Sequence, residues 1–184
     1  MNYCSQCGST CLVQKIPPGD TLSRWVCEAC QTIFYQNPKI VAGCLPEWED
    51  KILLCRRAIE PRYGLWTLPA GFMENQESVQ QAAIRETWEE AQAQIHTLML
   101  YNVFSLPYIN QVYILFRATL TDLNFAPGVE SLEVQLFSQE DIPWEQLAFS
   151  VIHRSLTHYF RDRSTGQFPV HVDDMAASSV TVAV

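Results

Sequence analysis

Three acidic residues lie close together near the end of a predicted helix, where helix stability alone does not explain their charges. A helix is predicted over residues 77–91, and it places Glu86, Glu89 and Glu90 on one face at i, i+3 and i+4. Like charges at this spacing repel, and the last turns of a helix favour cations over anions. Only Arg85 opposes them within the cluster. Bound Mg²⁺ would compensate these charges, because it prefers oxygen ligands and shares its shell with phosphate groups; an ordinary solvated acidic face is the alternative.

Four cysteines near the N-terminus have the spacing of a zinc site. Cys4 and Cys7 form one pair with two residues between them, Cys27 and Cys30 form another, and 19 residues separate the pairs. Two thiolates on each of two tight turns can complete a tetrahedron, and four such ligands leave no open position for catalysis. Four unrelated buried thiols are the alternative, whereas a thioredoxin-like redox site needs one such pair at the start of a helix. We therefore expect structural Zn²⁺ in a zinc ribbon over residues 1–36, which has too few apolar residues for its own core.

The elements that must position these residues form a mixed α/β pattern. Asn75 is the expected N-cap of the helix over residues 77–91, and a second helix is expected over residues 149–161. Because the order lacks a regular βαβ repeat, residues 37–165 are predicted to form a layered α/β domain with a mixed sheet. Residues 166–184 are expected to be a C-terminal tail whose last dozen residues are loose. Strands are predicted over residues 39–45, 51–57, 65–68, 98–104, 111–120 and 134–137.

Composition and charge narrow the class of protein. The chain has 184 residues, of which 48% are hydrophobic, and its 12 basic and 20 acidic residues give a net charge of −8. This acidity argues against nucleic acid as a partner, since binding it requires cations that face phosphates. No stretch reaches the roughly 18 apolar residues of a membrane span, and the first residues lack the pattern of a signal peptide, so no membrane association is expected. The cysteines favour reduced thiols and hence a cytoplasmic protein.

The acidic cluster belongs to a longer run that resembles the Nudix box. That 23-residue pattern is Gly, five residues, Glu, seven residues, Arg-Glu, an aliphatic residue, any residue, Glu-Glu, any residue, Gly and an aliphatic residue. Residues 71–93 match it at Gly71, Glu77, Arg85 and the three glutamates of the cluster. None of the departures removes a charged group. They are Gln92 for the closing Gly, which usually ends a helix in the left-handed region, and Thr87 and Ala93 for the two aliphatic residues.

The resemblance implies a fold and a reaction. Nudix hydrolases are α/β/α sandwiches with a mixed sheet, and they cleave the pyrophosphate bond of a nucleoside diphosphate linked to another group. In that family Mg²⁺ or Mn²⁺ binds the phosphate oxygens and activates the attacking water. By position, the resemblance implies that Glu86 and Glu90 are direct metal ligands. Glu89 would be a ligand or would orient the water, and the carbonyl of Ala70 would be a backbone ligand.

The resemblance also assigns supporting roles. Gly71 opens the box and counts among its catalytic positions, while Glu77 and Arg85 would form a pair that fixes the preceding loop against the helix. The general base of this family often lies outside the box, just before a later strand. Here that position favours Glu133 over Glu130.

A zinc ribbon ahead of a Nudix domain resembles two branches with different substrates. NADH pyrophosphatases carry a Ser-Gln-Pro-Trp-Pro-Phe-Pro run after the box, and residues 103–113 lack it. Residues 69–75 and 85–91 resemble ADP-ribose and FAD pyrophosphatases, so the expected substrate is ADP-ribose or FAD, giving AMP plus ribose 5-phosphate or FMN. An NADH pyrophosphatase and a non-catalytic ligand sensor with this fold are the alternatives.

The nucleotide would need an aromatic platform for its base and a cation for its phosphates. Trp66 and Phe104 are the expected aromatic contacts, and Phe34, Tyr35 and Tyr108 are further candidates, although aromatic residues more often belong to a core. Arg56 is the expected phosphate contact. Its neighbour Arg57 is the other candidate, and strand alternation turns one of the two to solvent. The resemblance further implies a homodimer.

Overall fold

The computed structural model describes residues 1–176 of the chain. The chain divides into two compact units, residues 1–37 and the residues from 38 onward. Among the described residues there is no helix whose length and apolar character would let it cross a membrane.

The first unit is a small antiparallel sheet held between two tight turns. Its three strands are β1 (Leu12–Lys15), β2 (Arg24–Cys27) and β3 (Ile33–Phe34), and they pair in that order. In the first turn the N–H of Gly8 donates to the carbonyl of Cys4 at 2.9 Å, and in the second the N–H of Gln31 donates to the carbonyl of Cys27 at 2.8 Å. Each turn contains one of the two cysteine pairs.

The second unit is built on a mixed sheet of eight strands. They are β4 (Lys39–Trp48), β5 (Lys51–Arg57), β6 (Trp66–Thr67), β7 (Ala70–Phe72), β8 (Ile95–Leu106), β9 (Gln111–Leu120), β10 (Ser131–Phe137) and β11 (His171–Asp174). The continuous path runs β10-β5-β4-β9-β8-β11, while β6 pairs with β5 and β7 pairs with β4. The pairs β4–β9 and β8–β11 are parallel, which makes the sheet mixed as predicted.

Helices cover both faces of this sheet: α1 (Val79–Ala91) on one and α2 (Ser150–Thr165) on the other. Two neighbouring residues of β4 demonstrate this arrangement. Cys44 packs in a cluster with Ala83 of α1, whereas Leu45 packs in the largest core cluster with Leu156 of α2. Successive side chains of a strand point to opposite faces, so the two helices lie on opposite sides. The fold is therefore the expected α/β/α sandwich.

The start of α1 differs from its prediction. The helix begins at Val79, and Ser78 rather than Asn75 is its N-cap. The side chain of Ser78 accepts from the N–H of Gln81 at 3.2 Å, and the side chain of Gln81 accepts from the N–H of Ser78 at 2.7 Å. This reciprocal capping box is encoded in the Ser-x-x-Gln spacing, which the prediction overlooked. Glu77 consequently lies in the loop before the helix.

The predicted tail is wrong where the chain forms β11, an edge strand parallel to β8. Polar groups hold it: His171 Nε2 lies 2.5 Å from Asp162 Oδ2 of α2, and the N–H of Met175 donates to Ser105 at 2.8 Å. A strand with so little apolar alternation gives no periodic signal in sequence. Residues 177–184 of the predicted tail lie outside the described residues.

The remaining bounds agree to different degrees. Those of β5 and β9 are correct, β4, β8 and β10 are longer than predicted, and β6 is shorter. β7 has no counterpart among the predicted strands, and α2 extends to Thr165, four residues beyond its predicted end.

Candidate active site

A cavity of about 1160 Å³ lies in the second unit and is bounded by parts of both helices. It exceeds the roughly 300–1,000 Å³ usual for small-molecule sites, so it has room for a ligand with two bulky ends. Its walls come from the second half of α1, from β7, from the start of α2 and from three connecting regions that include residues 57–62, 106–113 and 128–130.

The three glutamates of α1 all line this cavity. Glu86 and Glu90 are only 8% and 7% exposed, a burial that carboxylates almost never adopt without a partner. Burial raises the pKa of Glu90 to about 8, and the neighbouring charge of Glu86 contributes in the same direction. Burial also raises the pKa of Glu86, although Arg85 opposes this effect. Glu89 is more exposed. Two acidic groups are thus held at a position that is unfavourable for negative charge.

Arg85 connects the cluster to the loop before α1. Its Nε and Nη2 donate to the two carboxylate oxygens of Glu77 at 3.1 and 2.7 Å, while Nη1 donates to Glu86 at 2.7 Å and Glu89 at 2.8 Å. These bonds raise the pKa of Arg85, that with Glu77 most strongly, and Arg85 lowers the pKa of Glu77. Nη2 also donates to the carbonyl of Phe72 at 3.2 Å. This geometry matches the supporting pair expected from the sequence.

Strand β7 meets α1 without any intervening side chain. A Cβ atom added at Gly71 would overlap the carboxylate of Glu86 and displace it from its present position. The neighbouring Ala70 lines the cavity, and its backbone lowers the pKa of Glu90 against the larger effect of burial. The two residues thus bring the backbone of β7 into contact with both buried glutamates.

The end of α1 is closed by a loop that reaches the cavity. The N–H groups of Ala126 and Gly128 donate to the carbonyls of Ala91 and Glu90 at 2.9 and 3.0 Å, which satisfies two of the carbonyls that a helix end leaves free. A Cβ at Gly128 would overlap the backbone oxygen of Glu89. This tight packing holds the loop against the end of α1, and Glu130, two residues after Gly128, lines the cavity.

Two residues that the sequence had favoured as site residues, Glu133 and Arg56, do not line this cavity. Glu133 does not line it and instead faces Arg56, with 3.6 Å between Oε2 and Nη1. Arg57 and Glu130 line the cavity in their place. The cause is local: strand alternation turns Arg56 away, and a bulge between Ser131 and Glu133 alters the register of β10.

The two expected aromatic contacts are core residues. Trp66 is 6% exposed and packs edge-on against Phe137 at 4.9 Å, and Phe104 is fully buried. Neither lines the cavity, because both pack in the core cluster that includes residues of α2, which is the alternative that the sequence had allowed for aromatic residues. The aromatic residues that do line it are Phe72, Trp88, Tyr108, Tyr113 and Phe149. Tyr108 was a sequence candidate, and the others were missed.

The four cysteines of the first unit converge as expected. The Sγ atoms of Cys4 and Cys30 lie 3.7 Å apart, those of Cys7 and Cys27 lie 3.6 Å apart, and all four lie within 4.8 Å of one another. Sulfur ligands at about 2.3 Å from a tetrahedral Zn²⁺ would be separated by about 3.8 Å. The cluster therefore fits a structural zinc ion.

The carboxylates of the cavity fit a different kind of cation. Their oxygens suit Mg²⁺ or Mn²⁺, and the buried like charges of Glu86 and Glu90 provide a physical reason for binding one. Within residues 1–176, the four cysteines are the only group of three or more candidate ligands already at metal spacing. An ion at α1 would therefore have to compete with Arg85 for the oxygens of Glu86 and Glu89.

Comparison with known families assigns both units. A family model described as NUDIX domain matches residues 37–160, and a second, described as Nudix N-terminal, matches residues 2–36. The two matches follow the two compact units closely.

Similar proteins have related but different activities. An ADP-ribose pyrophosphatase of Methanocaldococcus jannaschii is 29% identical over 119 residues, which are 62% of this chain and 69% of that protein. The NAD-capped RNA hydrolase NudC of Chromobacterium violaceum is 24% identical over 159 residues, 85% of this chain. The matched region is only 57% of that NudC, so the chain spans little more than half its length.

Solved structures support the same fold. The structure of a NUDIX hydrolase from Nitrosomonas europaea has a TM-score of 0.91 and 56% identity, covering 95% of this chain and 99% of that one. An ADP-ribose pyrophosphatase from Streptococcus suis has a TM-score of 0.57 at 20% identity, covering 76% of this chain and 100% of that one. This second likeness concerns the fold alone.

Proposed function

The chain belongs to the NUDIX family of hydrolases, and on this premise we propose that it hydrolyses the pyrophosphate bond of ADP-ribose or FAD with the help of Mg²⁺ or Mn²⁺. The observation that carries the proposal is the burial of Glu86 and Glu90 side by side in a cavity large enough for a dinucleotide-sized ligand. Such a costly arrangement is explained if cations and phosphate groups complete the site.

The charge of the cavity supports a requirement for cations. Six glutamates and three arginines line it, which gives a formal charge of −3. A diphosphate bridge would add further negative charge, and such a ligand would be repelled from the cavity of the protein alone. Divalent ions held by Glu86, Glu89 and Glu90 would reverse this balance, and when bound they would also lower the pKa of a water molecule and orient the phosphates.

The protein's own residues then have distinct tasks. Arg85 and Glu77 fix the loop against α1, and Gly71 lets the backbone of Ala70 approach the carboxylates. Glu130 is the carboxylate outside the box that lines the cavity, so we assign it the role of general base in preference to Glu133. Glu130 would accept a proton from water as the water oxygen bonds to one phosphorus and the bridging P–O bond breaks, leaving AMP and ribose 5-phosphate from ADP-ribose.

The choice of substrate rests on sequence and on the relatives together. Residues 69–75 and 85–91 resemble the ADP-ribose and FAD branch, and one relative is named an ADP-ribose pyrophosphatase. The relatives named NudC make NADH the main alternative. The Ser-Gln-Pro-Trp-Pro-Phe-Pro run is missing from residues 103–113, which argues against that alternative.

A product assay tests the proposal. Purified protein with Mg²⁺ is incubated with ADP-ribose, FAD or NADH, and the products are separated by HPLC. We expect AMP from ADP-ribose or FAD at a higher kcat/KM than from NADH. Faster cleavage of NADH would mean that NADH, the alternative, is the preferred substrate. No Mg²⁺-dependent cleavage of any of the three would refute the proposal.

Variants of the cavity test the assignment of residues. Glu90→Gln preserves shape but removes one ligand charge, so kcat/KM should fall at least about a hundredfold. Glu130→Gln should lower kcat more than it raises KM, and Glu133→Gln, its control outside the cavity, should change neither by more than twofold, roughly the scatter between preparations. Loss of activity in Glu133→Gln alone would restore the original assignment of the base.

Zinc in the first unit and the oligomeric state belong to the same proposal. We assign Zn²⁺ a structural role at the four cysteines, because four thiolates leave no open position for a substrate. Elemental analysis should give one zinc per chain. The expected homodimer stays a prediction, and light scattering in solution would test it.

A further inference from the structure

The segment between β9 and β10 lies against the C-terminal end of α1. Phe125 packs against the core cluster that includes Ala91, the last residue of α1. Further along the segment, the N–H of Ala126 donates to the carbonyl of Ala91 at 2.9 Å, and the N–H of Gly128 donates to the carbonyl of Glu90 at 3.0 Å. An apolar contact and two backbone hydrogen bonds therefore hold this segment at the end of the helix that bears the glutamates.

Gly128 makes a very close approach to α1. A Cβ atom added there would overlap the backbone oxygen of Glu89. The backbone oxygen of a helix cannot turn aside as the end of a flexible side chain can, so any other residue at this position would force the backbone to move. We expect the segment to move rather than the helix. Ala82 and Ala83 are fully buried between α1 and the sheet, whereas Val129 is 97% exposed.

The backbone around Gly128 also determines where Glu130 lies. The N–H of Ser131 donates to the carbonyl of Gly128 at 3.1 Å, and the N–H of Ala58 donates to the carbonyl of Glu130 at 2.8 Å. Ala58 directly follows β5, so the chain at Glu130 is tied to β5 on one side and, through Gly128, to α1 on the other. A displacement at Gly128 would therefore move Glu130, two residues along the chain.

The side chain of Glu130 acts on both buried glutamates of the cavity. Burial is the main cause that raises the pKa of Glu86 and of Glu90, and the negative charge of Glu130 contributes in the same direction to each. This effect weakens with distance, so the Glu130 carboxylate lies near both groups. A general base must reach the water whose proton it accepts, and a misplacement of about 1 Å can cost about a hundredfold in rate.

From this packing we infer that Gly128 is a positioning residue, which holds residues 126–130 against α1 and thereby places the Glu130 carboxylate for the reaction. This inference rests on the proposed function, in which Glu130 is the general base. Gly128 has no side chain and supplies no chemical group, so its effect on the reaction should depend on Glu130. Because a base acts in the chemical step, the loss of its position should lower kcat and leave KM nearly unchanged.

Another glycine provides a matched control for the kinetic test. In Gly128→Ala, we expect kcat for the preferred substrate of the HPLC panel to fall about 10- to 100-fold, with KM within about threefold of the wild type. Gly166 ends α2 with φ 70, and a Cβ atom there would meet nothing within 4 Å. Gly166→Ala should therefore lower the unfolding temperature through its backbone conformation and keep kcat within about twofold of the wild type. An unchanged kcat in Gly128→Ala, or an equal fall in Gly166→Ala, would overturn the inference.

A double-mutant cycle shows whether Gly128 acts through Glu130. Glu130→Gln alone should lower kcat, and the addition of Gly128→Ala should lower it by less than about twofold more, because the misplaced group has already been replaced. A general structural effect of Gly128→Ala would instead multiply the loss caused by Glu130→Gln. A further loss of about tenfold or more in the double variant would thus contradict the positioning role.

Hydrogen exchange provides a readout that does not depend on turnover. The amides of residues 126 and 128 donate to carbonyls of α1, so they should exchange slowly in the wild type. Gly128→Ala should accelerate both at least about tenfold and leave the amides in the middle of α1 unchanged, whereas Gly166→Ala should leave all of these amides unchanged. Wild-type exchange at residues 126 and 128 in Gly128→Ala would overturn the inference.

The two proposals can fail separately. A wild-type protein that cleaves no compound of the panel, together with faster exchange in Gly128→Ala, would contradict the proposed hydrolysis and retain the docking of the segment by Gly128. A wild-type protein that cleaves ADP-ribose with the same kcat after Gly128→Ala would keep the function and remove the positioning role.

Discussion

At the scale of single residues, the buried pair of glutamates should oppose folding whenever its charges are uncompensated. Glu90 forms no ion pair in the described residues and its pKa is raised to about 8, mainly by burial. Glu89 occupies the same helix end, but its side chain is 54% exposed. Neutralising these two residues should therefore have different effects on stability.

We predict that Glu90→Gln stabilises the metal-free protein at pH 8.5 by about 1–3 kcal/mol, since it removes a buried charge and keeps the side-chain shape. Glu89→Gln, the control, should change stability by less than about 0.5 kcal/mol. Mg²⁺ should raise the unfolding temperature of the wild type, because an ion that binds the folded state stabilises it. The effect on Glu90→Gln should be much smaller, because this variant lacks one ligand charge and should bind the ion more weakly. Chemical denaturation with and without EDTA measures both effects. A destabilised metal-free Glu90→Gln would contradict this account.

The end of α1 contains a second residue in an unfavourable state. Gln92 has φ 49 and ψ 28, in the left-handed region, at the position where the Nudix box has Gly. The predicted end of the helix at Ala91 is correct, and Gln92 adopts the left-handed conformation although it is not glycine. A non-glycine residue in this region costs about 1–2 kcal/mol of conformational free energy. Gln92 is held in this conformation at the end of the helix, where its N–H donates to the Trp88 carbonyl at 2.8 Å.

We predict that Gln92→Gly raises the free energy of unfolding by about 0.5–1 kcal/mol, the conformational gain less the larger entropy of Gly in the unfolded chain. Gln92→Ala is the control. It removes the same side chain but keeps a Cβ atom, so it should not stabilise the protein. Denaturant unfolding of the three proteins checks this. Equal stability of the Gly and Ala variants would mean that the backbone conformation is not the cause.

At the scale of elements, the sandwich could be predicted because its central strands and α1 have strong apolar patterns. Leu53 and Leu54, on opposite faces of β5, are both fully buried, as expected for a strand between two helical layers. β11 could not be predicted, because its inward residues are His171 and Asp173. The box glutamates could be placed from their spacing alone, whereas choosing Glu130 over Glu133 depends on a bulge that no local pattern encodes.

The polar contacts of β11 with α2 make that edge of the sheet sensitive to acid. His158 of α2 is 7% exposed, its ring lies 4.1 Å from that of His171, and its Nε2 is 3.6 Å from Asp173 Oδ2. Burial is the main cause that lowers the pKa of His158, and the nearby His171, Arg154 and Arg161 also lower it against the opposing effect of Asp173. The folded protein therefore binds a proton at this position less readily than the unfolded chain does.

We predict that His158 loses its contribution to stability as the pH decreases from 7.5 to 5.5, whereas Glu90, whose pKa is raised, acts in the opposite direction over the same range. The unfolded chain takes up the His158 proton near its ordinary pKa of 6.5, so this contribution is complete above that pH and is lost below it. For one proton, the free energy of unfolding changes by at most about 1.4 kcal/mol per pH unit. His158→Gln should remove this loss, so the stability of that variant at pH 5.5 relative to pH 7.5 should exceed that of the wild type, and His153→Gln, an exposed position of the same helix, should behave like the wild type. Denaturant midpoints across this range test the difference, and equal slopes in the two variants would exclude His158 as the cause.

At the scale of the whole molecule, the two units are stabilised in different ways. The first unit has a three-stranded sheet and few buried apolar side chains, so we expect its fold to depend on the zinc ion proposed at the four cysteines. The second unit has its own extensive core, to which α1 and α2 both contribute. Removal of zinc should therefore unfold one unit and leave the other folded.

The seven cysteines report on this difference, because they fall into three classes. Cys11 is exposed and is not a member of the four-cysteine cluster, while Cys44 and Cys55 are buried in the second unit. We predict that a thiol reagent labels Cys11 alone in the zinc-loaded protein. A zinc chelator should then expose the four cluster cysteines, and only denaturant should release the last two. Mass spectrometry of the labelled peptides identifies each class, with Cys11→Ser as a control that removes the first. Labelling of Cys44 or Cys55 by chelation alone would show that the core of the second unit depends on the zinc ion, contrary to the independence that its own packing implies.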